Sequence, residues 1–363
     1  MDRILLRRDA ARARMAVENV DALLVVHPTN VGYLTGFTGD SSVLLAGRDR
    51  DLIVSDGRFT TQLEQECPGL EAVIRPAVES LNQAVARLVK GLGIRRLGFE
   101  PSHLSVADWD FLRSELTSTE LVATDGLVET LRAVKDEAEV AAIREAVDFA
   151  QRAFTKLRAG LADGQTEKEV ADRLEALLRE FGATGSSFPP IVAVGRRAAL
   201  PHARPTVETR IGDDDFVLID WGATGRPYKS DLTRMIVTGK VTPEFEKVYR
   251  TVLTAQERAI AAIRPGAKAQ DVDAEARSVI EQAGFGRFFD HGLGHGIGMD
   301  VHEGPRLRKE SPTILEPGMV VTVEPGVYLP EWGGVRIEDD VLVTPDGCEV
   351  LSDLPKTLDA MRP

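Results

Sequence analysis

The sequence is poor in features that mark several protein classes. It has only two cysteines in 363 residues, Cys67 and Cys348, too few for the disulfide framework of a small secreted domain. It has no run of about 18 apolar residues, which a membrane-spanning helix needs. Its N-terminus alternates charged and apolar residues too quickly for a signal peptide. We therefore expect a cytoplasmic protein.

The sequence also has fewer positively charged than negatively charged residues. Lys and Arg number 44 against 57 Asp and Glu, and the net charge is -13 at pH 7. A protein that holds a nucleic-acid backbone carries clustered positive charge instead, so we expect neither a nucleic-acid nor a membrane partner. A content of 43% hydrophobic and 28% charged residues is typical of a globular protein. The length favours two domains.

The first part of the chain, residues 1–125, has the pattern of a small α/β domain. Strand-like apolar runs cover 22–26, 42–46 and 51–55, and a helical pattern covers 81–92. No paired catalytic residues stand out here. We interpret the domain as a packing or oligomerisation unit with a further role in substrate gating.

The second part, residues 126–363, predicts four helices in two pairs. They begin near Asp136, Thr166, Thr242 and Gln270, and capping residues or a first-turn proline mark the first three starts. Strand-like runs follow each pair. This repetition predicts a pseudo-twofold α/β (α+β) domain with a site on the axis shared by its halves.

Three of the six histidines lie within twelve residues, at His291, His295 and His302. Such crowding is typical of metal binding or proton transfer. His291 and His295 are four apart, as in a zinc-binding helix. However, four alternate glycines from 292 to 298 disfavour a helix, at about 1 kcal/mol each. The segment is therefore predicted to be a loop, and residues from elsewhere must complete any metal site.

Four carboxylates occupy unusual places on predicted strands. Asp220 and Glu324 each end an apolar run, Asp231 lies just before another, and Glu338 is predicted inside a strand. The spacing of Asp220 and Asp231 fits a hairpin that brings both side chains together. A buried carboxylate costs free energy unless it is paired or binds metal.

With His295, these acids offer one imidazole and four carboxylates. That set suits Mn²⁺, Co²⁺ or another hard-to-borderline divalent ion better than a thiolate zinc site does. Four negative charges call for two ions about 3.5–4 Å apart, which would activate water for attack on a carbonyl.

These residues resemble the "pita-bread" metallopeptidases, which include methionine aminopeptidase, aminopeptidase P and prolidase. The five ligand types match in identity and order, as do the His-Gly-x-Gly-His loop, the Val-Glu-Pro-Gly turn and the Arg-Ile-Glu strand. The resemblance covers about residues 130–355. The segment 30–37 resembles the N-terminal domain of the creatinase and prolidase branch, which methionine aminopeptidases normally lack.

The resemblance implies a role for each ligand. Asp220 would chelate one ion, and His295 with Glu324 would hold the other. Asp231 and Glu338 would bridge the two. Mn²⁺ is the expected metal, with Co²⁺ or Zn²⁺ as alternatives.

It also implies groups that handle substrate beside the catalytic Glu324. His202 would lie at the scissile residue, His291 would line the pocket for the residue after the cut, and His302 would polarise the scissile carbonyl. Arg336 would bind a substrate carboxylate or, alternatively, form a salt bridge to a ligand carboxylate.

The expected reaction is hydrolysis of an Xaa-Pro bond in a dipeptide. The alternative is an aminopeptidase P that removes the first residue of longer Xaa-Pro peptides. Relatives of this kind are often homodimers, and we hypothesise that Asp40 reaches a site in the partner subunit and closes it beyond the proline.

Other classes are disfavoured. A creatinase-like metal-free hydrolase or a non-enzymatic binding module on this fold would lack part of the ligand set, and all five ligands are present. Ser230 lies beside Asp231, but neither a base nor a nucleophile-elbow pattern accompanies it.

Overall fold

The computed structural model describes residues 3–362. Residues 1, 2 and 363, which the predicted domains include, lie outside the described residues. The chain forms two compact units, one ending at Arg132 and one beginning at Ala133. Arg132, at the end of the first unit, donates from Nη1 to Asn30 Oδ1 at 2.8 Å. No helix among the described residues is long and apolar enough to cross a membrane.

The first unit is built on one mixed sheet. Its helices are α1 (Arg3–Val17), α2 (Pro28–Thr35), α3 (Thr60–Glu66), α4 (Leu81–Gly91), α5 (Val106–Glu115) and α6 (Leu127–Ala133), and its strands are β1 (Ala22–Val25), β2 (Val43–Gly47), β3 (Asp51–Asp56), β4 (Glu71–Arg75), β5 (Arg96–Phe99) and β6 (Glu120–Ala123). The strand order is β4-β3-β2-β1-β5-β6. The three predicted strands and the predicted helix at 81–92 are confirmed, each within a residue or two.

The second unit combines two helix pairs with antiparallel sheets. Its helices are α7 (Glu137–Ala159), α8 (Glu167–Glu180), α9 (Pro243–Ala262) and α10 (Ala269–Gln282), and its strands are β7 (Gly185–Ser186), β8 (Ile191–Val194), β9 (Phe216–Trp221), β10 (Ala223–Thr224), β11 (Leu232–Val237), β12 (Gly294–Gly296), β13 (Glu303–Leu307), β14 (Val320–Val323), β15 (Gly326–Leu329), β16 (Gly333–Arg336), β17 (Asp339–Thr344) and β18 (Gly347–Val350). The main sheets have the orders β11-β9-β8 and β13-β12-β14-β17-β18.

All four helices of this unit begin within a residue or two of the predicted starts, and three of them follow the predicted signals. Asp136 and Thr166 form complete capping boxes at α7 and α8, and Thr242 caps α9 with Pro243 in its first turn. α10 begins at Ala269 after Lys268, without a side-chain cap.

The two halves of this unit repeat each other, as the sequence predicts. Each has a pair of packed helices followed by antiparallel strands, α7 and α8 before β9, and α9 and α10 before β14. The residue before the second helix of each pair also forms an isolated bridge, Thr166 with Arg210 and Lys268 with Ile314. The apolar faces of α9 and α10 pack on the strands of one buried cluster, and those of α7 and α8 on another.

Candidate metal centre

Two of the predicted ligands come from neighbouring strands of the first half. β9 and β11 pair in antiparallel register, with Thr233 opposite Asp220 and Leu232 opposite Trp221. Asp231 immediately precedes β11. This pairing confirms the predicted adjacency of the two strands. Asp220 and Asp231 are 7% and 5% exposed, so both carboxylates are buried.

The other three ligands come from the second half. His295 is the central residue of β12, and Glu324 directly follows β14. β12 is a short strand inside the segment predicted to be a loop. Glu338 was expected inside a strand, but it lies in the gap between β16 and β17. The chain changes partners there, because β16 pairs with β15 whereas β17 pairs with β14.

The structure brings these side chains together. His295 Nε2 lies 3.3 Å from Glu324 Oε1 and 3.7 Å from Asp231 Oδ2. Asp231, His295 and Glu338 offer donor atoms that all lie within 4.8 Å of one another. Asp220 Oδ1 is buried and has no hydrogen-bond partner among the described residues. This oxygen-rich set fits one or two divalent cations.

The pKa shifts of the clustered carboxylates also indicate a cation-binding site. Burial raises the pKa of Asp231 and of Glu338 well above the usual range, and neighbouring carboxylates raise both further. Burial would also raise the pKa of Glu324, but the hydrogen bond and charge of His295 outweigh it and lower that pKa to about 2. A bound cation would remove the mutual repulsion of these acids.

A second group of potential ligands lies in the first unit and differs in geometry. His27, His103 and Glu129 offer donor atoms within 4.8 Å of one another. The two imidazole rings stack face to face, with centroids 3.9 Å apart and planes inclined by 8°. A ring nitrogen coordinates along a lone pair in the plane of its ring, so two parallel rings do not converge on one ion. This arrangement does not form a metal site.

Two of the histidines that are predicted to handle substrate lie beside the cluster. The rings of His302 and His295 meet edge to face, with centroids 4.4 Å apart, so histidines seven residues apart in sequence face one another. His291 Nε2 lies 3.0 Å from Tyr328 Oη. Burial, above all, lowers the pKa of His291 and of His302, which favours neutral imidazoles.

Two further predicted site residues, His202 and Asp40, are exposed. His202 follows a short 3-10 helix, Gly195–Ala199. Burial, above all, raises the pKa of Asp220 and lowers that of His302, and a minor electrostatic contribution from His202 acts to lower both. Asp40 lies in the first unit, on the exposed segment between α2 and β2. The hydrogen bond and charge of Asp56 raise the pKa of Arg58, and the charge of Asp40 adds a smaller contribution.

Arg336 is 3% exposed, and its hydrogen bonds are made within the protein. Nη2 donates to Asp220 Oδ2 at 2.5 Å, Nη1 to Tyr328 Oη at 2.9 Å, and Nε to Thr233 Oγ1 at 3.1 Å. Of the two predicted roles, the geometry matches the salt bridge to a ligand carboxylate. A substrate carboxylate would have to compete with Asp220 for this guanidinium.

Sequence reasoning missed three residues that the structure places around the cluster. Tyr328 joins His291 to Arg336, and burial raises its pKa to about 12. Thr233 donates to Glu338 Oε2 at 2.6 Å. Both stand on strands next to ligand residues, so an alternating strand pattern could have suggested their inward direction.

Arg306 is the third residue, and only the fold reveals its place. It lies opposite His295 in the register of β12 and β13. Its side chain is exposed and has no hydrogen bond or ion pair within residues 3–362. Burial of part of the side chain and the charge of Arg308 lower its pKa, while Glu324 raises it. A guanidinium near the cluster is therefore available to a ligand.

Comparison with known proteins matches both units to family models. Residues 141–345 match "Metallopeptidase family M24", and residues 7–134 match "Creatinase/Prolidase N-terminal domain". A curated relative, the Xaa-Pro dipeptidase of Pyrococcus horikoshii, is 35% identical over 347 residues, 95% of this chain and 96% of that protein.

Solved structures match nearly the whole chain. An Xaa-Pro dipeptidase from Bacillus anthracis superposes with a TM-score of 0.93 at 38% identity, covering 98% of this chain and 99% of that one. An X-Pro aminopeptidase from Thermotoga maritima superposes with a TM-score of 0.86 at 34% identity, covering 95% and 99%.

Proposed function

This chain belongs to metallopeptidase family M24, and we propose that it hydrolyses the Xaa-Pro bond of dipeptides. The observation that carries the proposal is the buried cluster of one imidazole and four carboxylates, beside which His291 and His302 lie. The curated Xaa-Pro dipeptidase that matches nearly the whole chain supports the same substrate class. The Xaa-Pro bond has no N–H and carries a ring at the cut, so it requires a dedicated site.

The five ligands divide naturally between two divalent ions. Asp220 would chelate one, His295 with Glu324 would chelate the other, and Asp231 and Glu338 would bridge them. The bridging positions are supported by geometry, because donor atoms of Asp231, Glu338 and His295 lie within 4.8 Å of one another. We propose Mn²⁺ as the metal, since the set is rich in oxygen. The ions supply Lewis acidity and activation of water.

The histidines would handle the peptide. A neutral His302 can donate an N–H to the scissile carbonyl oxygen as negative charge develops there. His291 would line the pocket for the proline ring, held in place through Tyr328. His202 would contact the residue before the cut. Glu324, next to His295, would take part in proton movement at the scissile bond.

Dipeptide selectivity needs a group that recognises the free carboxylate of the proline. Arg336 makes its hydrogen bonds to Asp220, Thr233 and Tyr328, so we assign this task to Arg306. Its guanidinium is exposed, has no recorded ion pair within the described residues, and lies opposite His295. Guanidinium and carboxylate form bidentate, charge-assisted hydrogen bonds.

The competing function is that of aminopeptidase P. It is supported by the similarity to the X-Pro aminopeptidase structure from Thermotoga maritima. Rates on Ala-Pro, Ala-Pro-Ala and Ala-Ala with added Mn²⁺ separate the two. We expect Ala-Pro to be the best substrate and Ala-Ala to be poor. Faster cleavage of Ala-Pro-Ala would instead establish the aminopeptidase. Equal activity after metal removal, or in Glu338→Gln, would refute a metallopeptidase.

We further propose a cytoplasmic homodimer in which Asp40 closes the site of the partner subunit beyond the proline. Both cysteines are free thiols, as is usual in reducing compartments, and Asp40 is exposed. Asp40→Ala should raise activity on Ala-Pro-Ala relative to Ala-Pro, whereas Asp49→Ala, on a neighbouring exposed segment, should not. Unchanged selectivity in Asp40→Ala, or a monomer in sedimentation, would contradict this arrangement.

A further inference from the structure

A buried ion pair on α10 holds the backbone on both sides of His291. Asp273 accepts two hydrogen bonds of 2.8 Å from Arg277, four residues on. The guanidinium also donates to the carbonyl oxygens of Phe289 at 3.0 Å and His291 at 2.9 Å. Asp273 Oδ1 accepts the Leu293 N–H at 3.0 Å. The pair is buried, with Arg277 9% and Asp273 1% exposed at the side chain.

The contacts of this pair reach the carboxylate cluster. The Leu293 carbonyl, whose own N–H is held by Asp273, accepts the N–H of Glu324 at 2.8 Å. The Arg277 guanidinium lies 4.2 Å from the centre of the Phe289 ring, and that ring meets the His291 ring edge to face at 5.0 Å. One ion pair therefore fixes both the backbone and the ring of His291 relative to Glu324.

The glycine-rich segment 292–298 needs contacts from other elements to hold its backbone in one conformation. Glycine adds conformational freedom to a chain, and glycines alternate from 292 to 298. At Gly294 a side chain is excluded, since a Cβ would lie 2.0 Å from the Thr322 carbonyl oxygen. A buried ion pair contributes little net stability by itself. Its hydrogen bonds here go to the main chain of the loop, which indicates a positioning role.

We call the Asp273–Arg277 pair, with its hydrogen bonds to the main chain, a clamp. The first half of the unit contains a comparable clamp, formed by Glu167 and Arg197. Glu167, the first residue of α8, is fully buried. Its carboxylate accepts the N–H groups of Val194 at 2.9 Å and Thr206 at 3.1 Å, and the Nε–H of Arg197 at 2.9 Å. Val194 and Thr206 flank the segment that carries His202. Each half thus uses a buried acid on its second helix to hold a loop with a substrate histidine.

We propose that Asp273 and Arg277 are positioning residues that set the orientation of His291 toward the substrate, and that Glu167 and Arg197 do the same for His202. Their effect on catalysis rests on the proposed function, whereas their effect on histidine geometry does not. A misplacement of about 1 Å costs up to about 100-fold in rate, so loss of a clamp should lower turnover although none of its residues is itself one of the five predicted ligands.

Arg277→Lys tests the proposal, because lysine keeps the charge beside Asp273 but cannot reach both carbonyls at once. A crystal structure of this variant should show His291 Nε2 moved away from Tyr328 Oη, beyond the present 3.0 Å. kcat/KM for Ala-Pro should fall by about 10- to 100-fold while bound metal, measured by elemental analysis, stays at the wild-type level. Arg258→Lys is the matched control, since it alters an exposed ion pair with Glu275 on the same helix pair.

A wild-type His291–Tyr328 contact and wild-type kcat/KM in Arg277→Lys would overturn the proposal, whatever the change in melting temperature. Loss of activity explained entirely by loss of metal would overturn it as well. If Arg277→Lys does not fold, the same two measurements apply to Asp273→Asn, which keeps an oxygen acceptor for Leu293 but replaces the oxygen that accepts from Arg277 Nε with an amide nitrogen, which cannot accept. If the wild-type enzyme cleaves neither peptide, the proposed function fails, but the crystal structure still decides the positioning role.

Discussion

Thr233 donates its hydroxyl hydrogen to Glu338 Oε2 at 2.6 Å, and this contact ties a strand of the first half to a ligand of the second. The same hydroxyl oxygen accepts a hydrogen bond from Arg336. The side chains of Thr233 and Glu338 are both buried. The orientation of Glu338 therefore depends on one side chain that is not itself a ligand.

Thr233→Val, which keeps the shape and removes the hydroxyl, should weaken metal binding by about 10- to 100-fold, as loss of hydrogen bonds to metal ligands typically does. Titration of Mn²⁺ into the metal-free protein measures the change. Thr155→Val, on the exposed face of α7, is the control. Equal Mn²⁺ affinities for the two variants would contradict a supporting role for Thr233.

Arg336→Gln should destabilise the metal-free protein by about 3–5 kcal/mol, because Asp220 would remain buried without its cation. Urea unfolding gives the free energy directly. Arg144→Gln removes an exposed ion pair with Glu349 and should cost no more than about 1 kcal/mol. A loss of that small size for Arg336→Gln would mean that Asp220 does not depend on the guanidinium.

Metal binding should stabilise the protein increasingly as pH rises. Burial raises the folded pKa of Asp231 and Glu338 above the unfolded value of about 4. The folded metal-free protein therefore binds protons that the unfolded chain has released. It loses stability as pH rises from the unfolded value through the folded value, and a cation removes this penalty.

The measurement is the difference in melting temperature with and without Mn²⁺, followed from about pH 5 to pH 8. Calorimetric titration in buffers of different ionisation enthalpy should show proton release on binding. Glu338→Gln removes one of the titrating groups and should flatten the profile. A difference that is constant with pH in the wild-type protein would contradict the raised pKa values.

Arg306→Gln should lower kcat/KM for Ala-Pro by about 10- to 100-fold, equivalent to the 1.5–3 kcal/mol of a hydrogen bond to a charged group. Activity on the amide Ala-Pro-NH₂, which has no carboxylate, should change little. Arg308→Gln, at the next exposed position of the same segment, should leave both rates near the wild-type values. Parallel losses on both substrates in Arg306→Gln would assign the residue a role other than carboxylate recognition.

Much of the fold follows from local patterns in the sequence. The helices of the second unit begin near Asp136, Thr166, Thr242 and residue 270 because capping residues and apolar spacing are local signals. The strands that carry Asp220 and Glu324 are recognisable as apolar runs that end in an acid. The repeat of the two halves is visible for the same reason.

The sequence could not predict features that depend on which strands pair or on residues far away in the chain. Glu338 has strand-like neighbours on both sides, and only the tertiary pairing reveals that β16 and β17 belong to different sheets. Arg306 has no distinctive local context, because its importance comes from its position opposite His295. The partners of Arg336 are up to 116 residues away in sequence, so no local pattern could decide between its two predicted roles.

The ligands are contributed unequally by the two halves, with Asp220 and Asp231 before α9 and the other three after α10. Neither half alone offers a complete set, so a nascent chain can load metal only after its last strands have been synthesised and have paired. A metal that binds only the completed fold would stabilise that state by mass action. Truncated or misfolded chains would receive no such protection and would remain open to proteolysis.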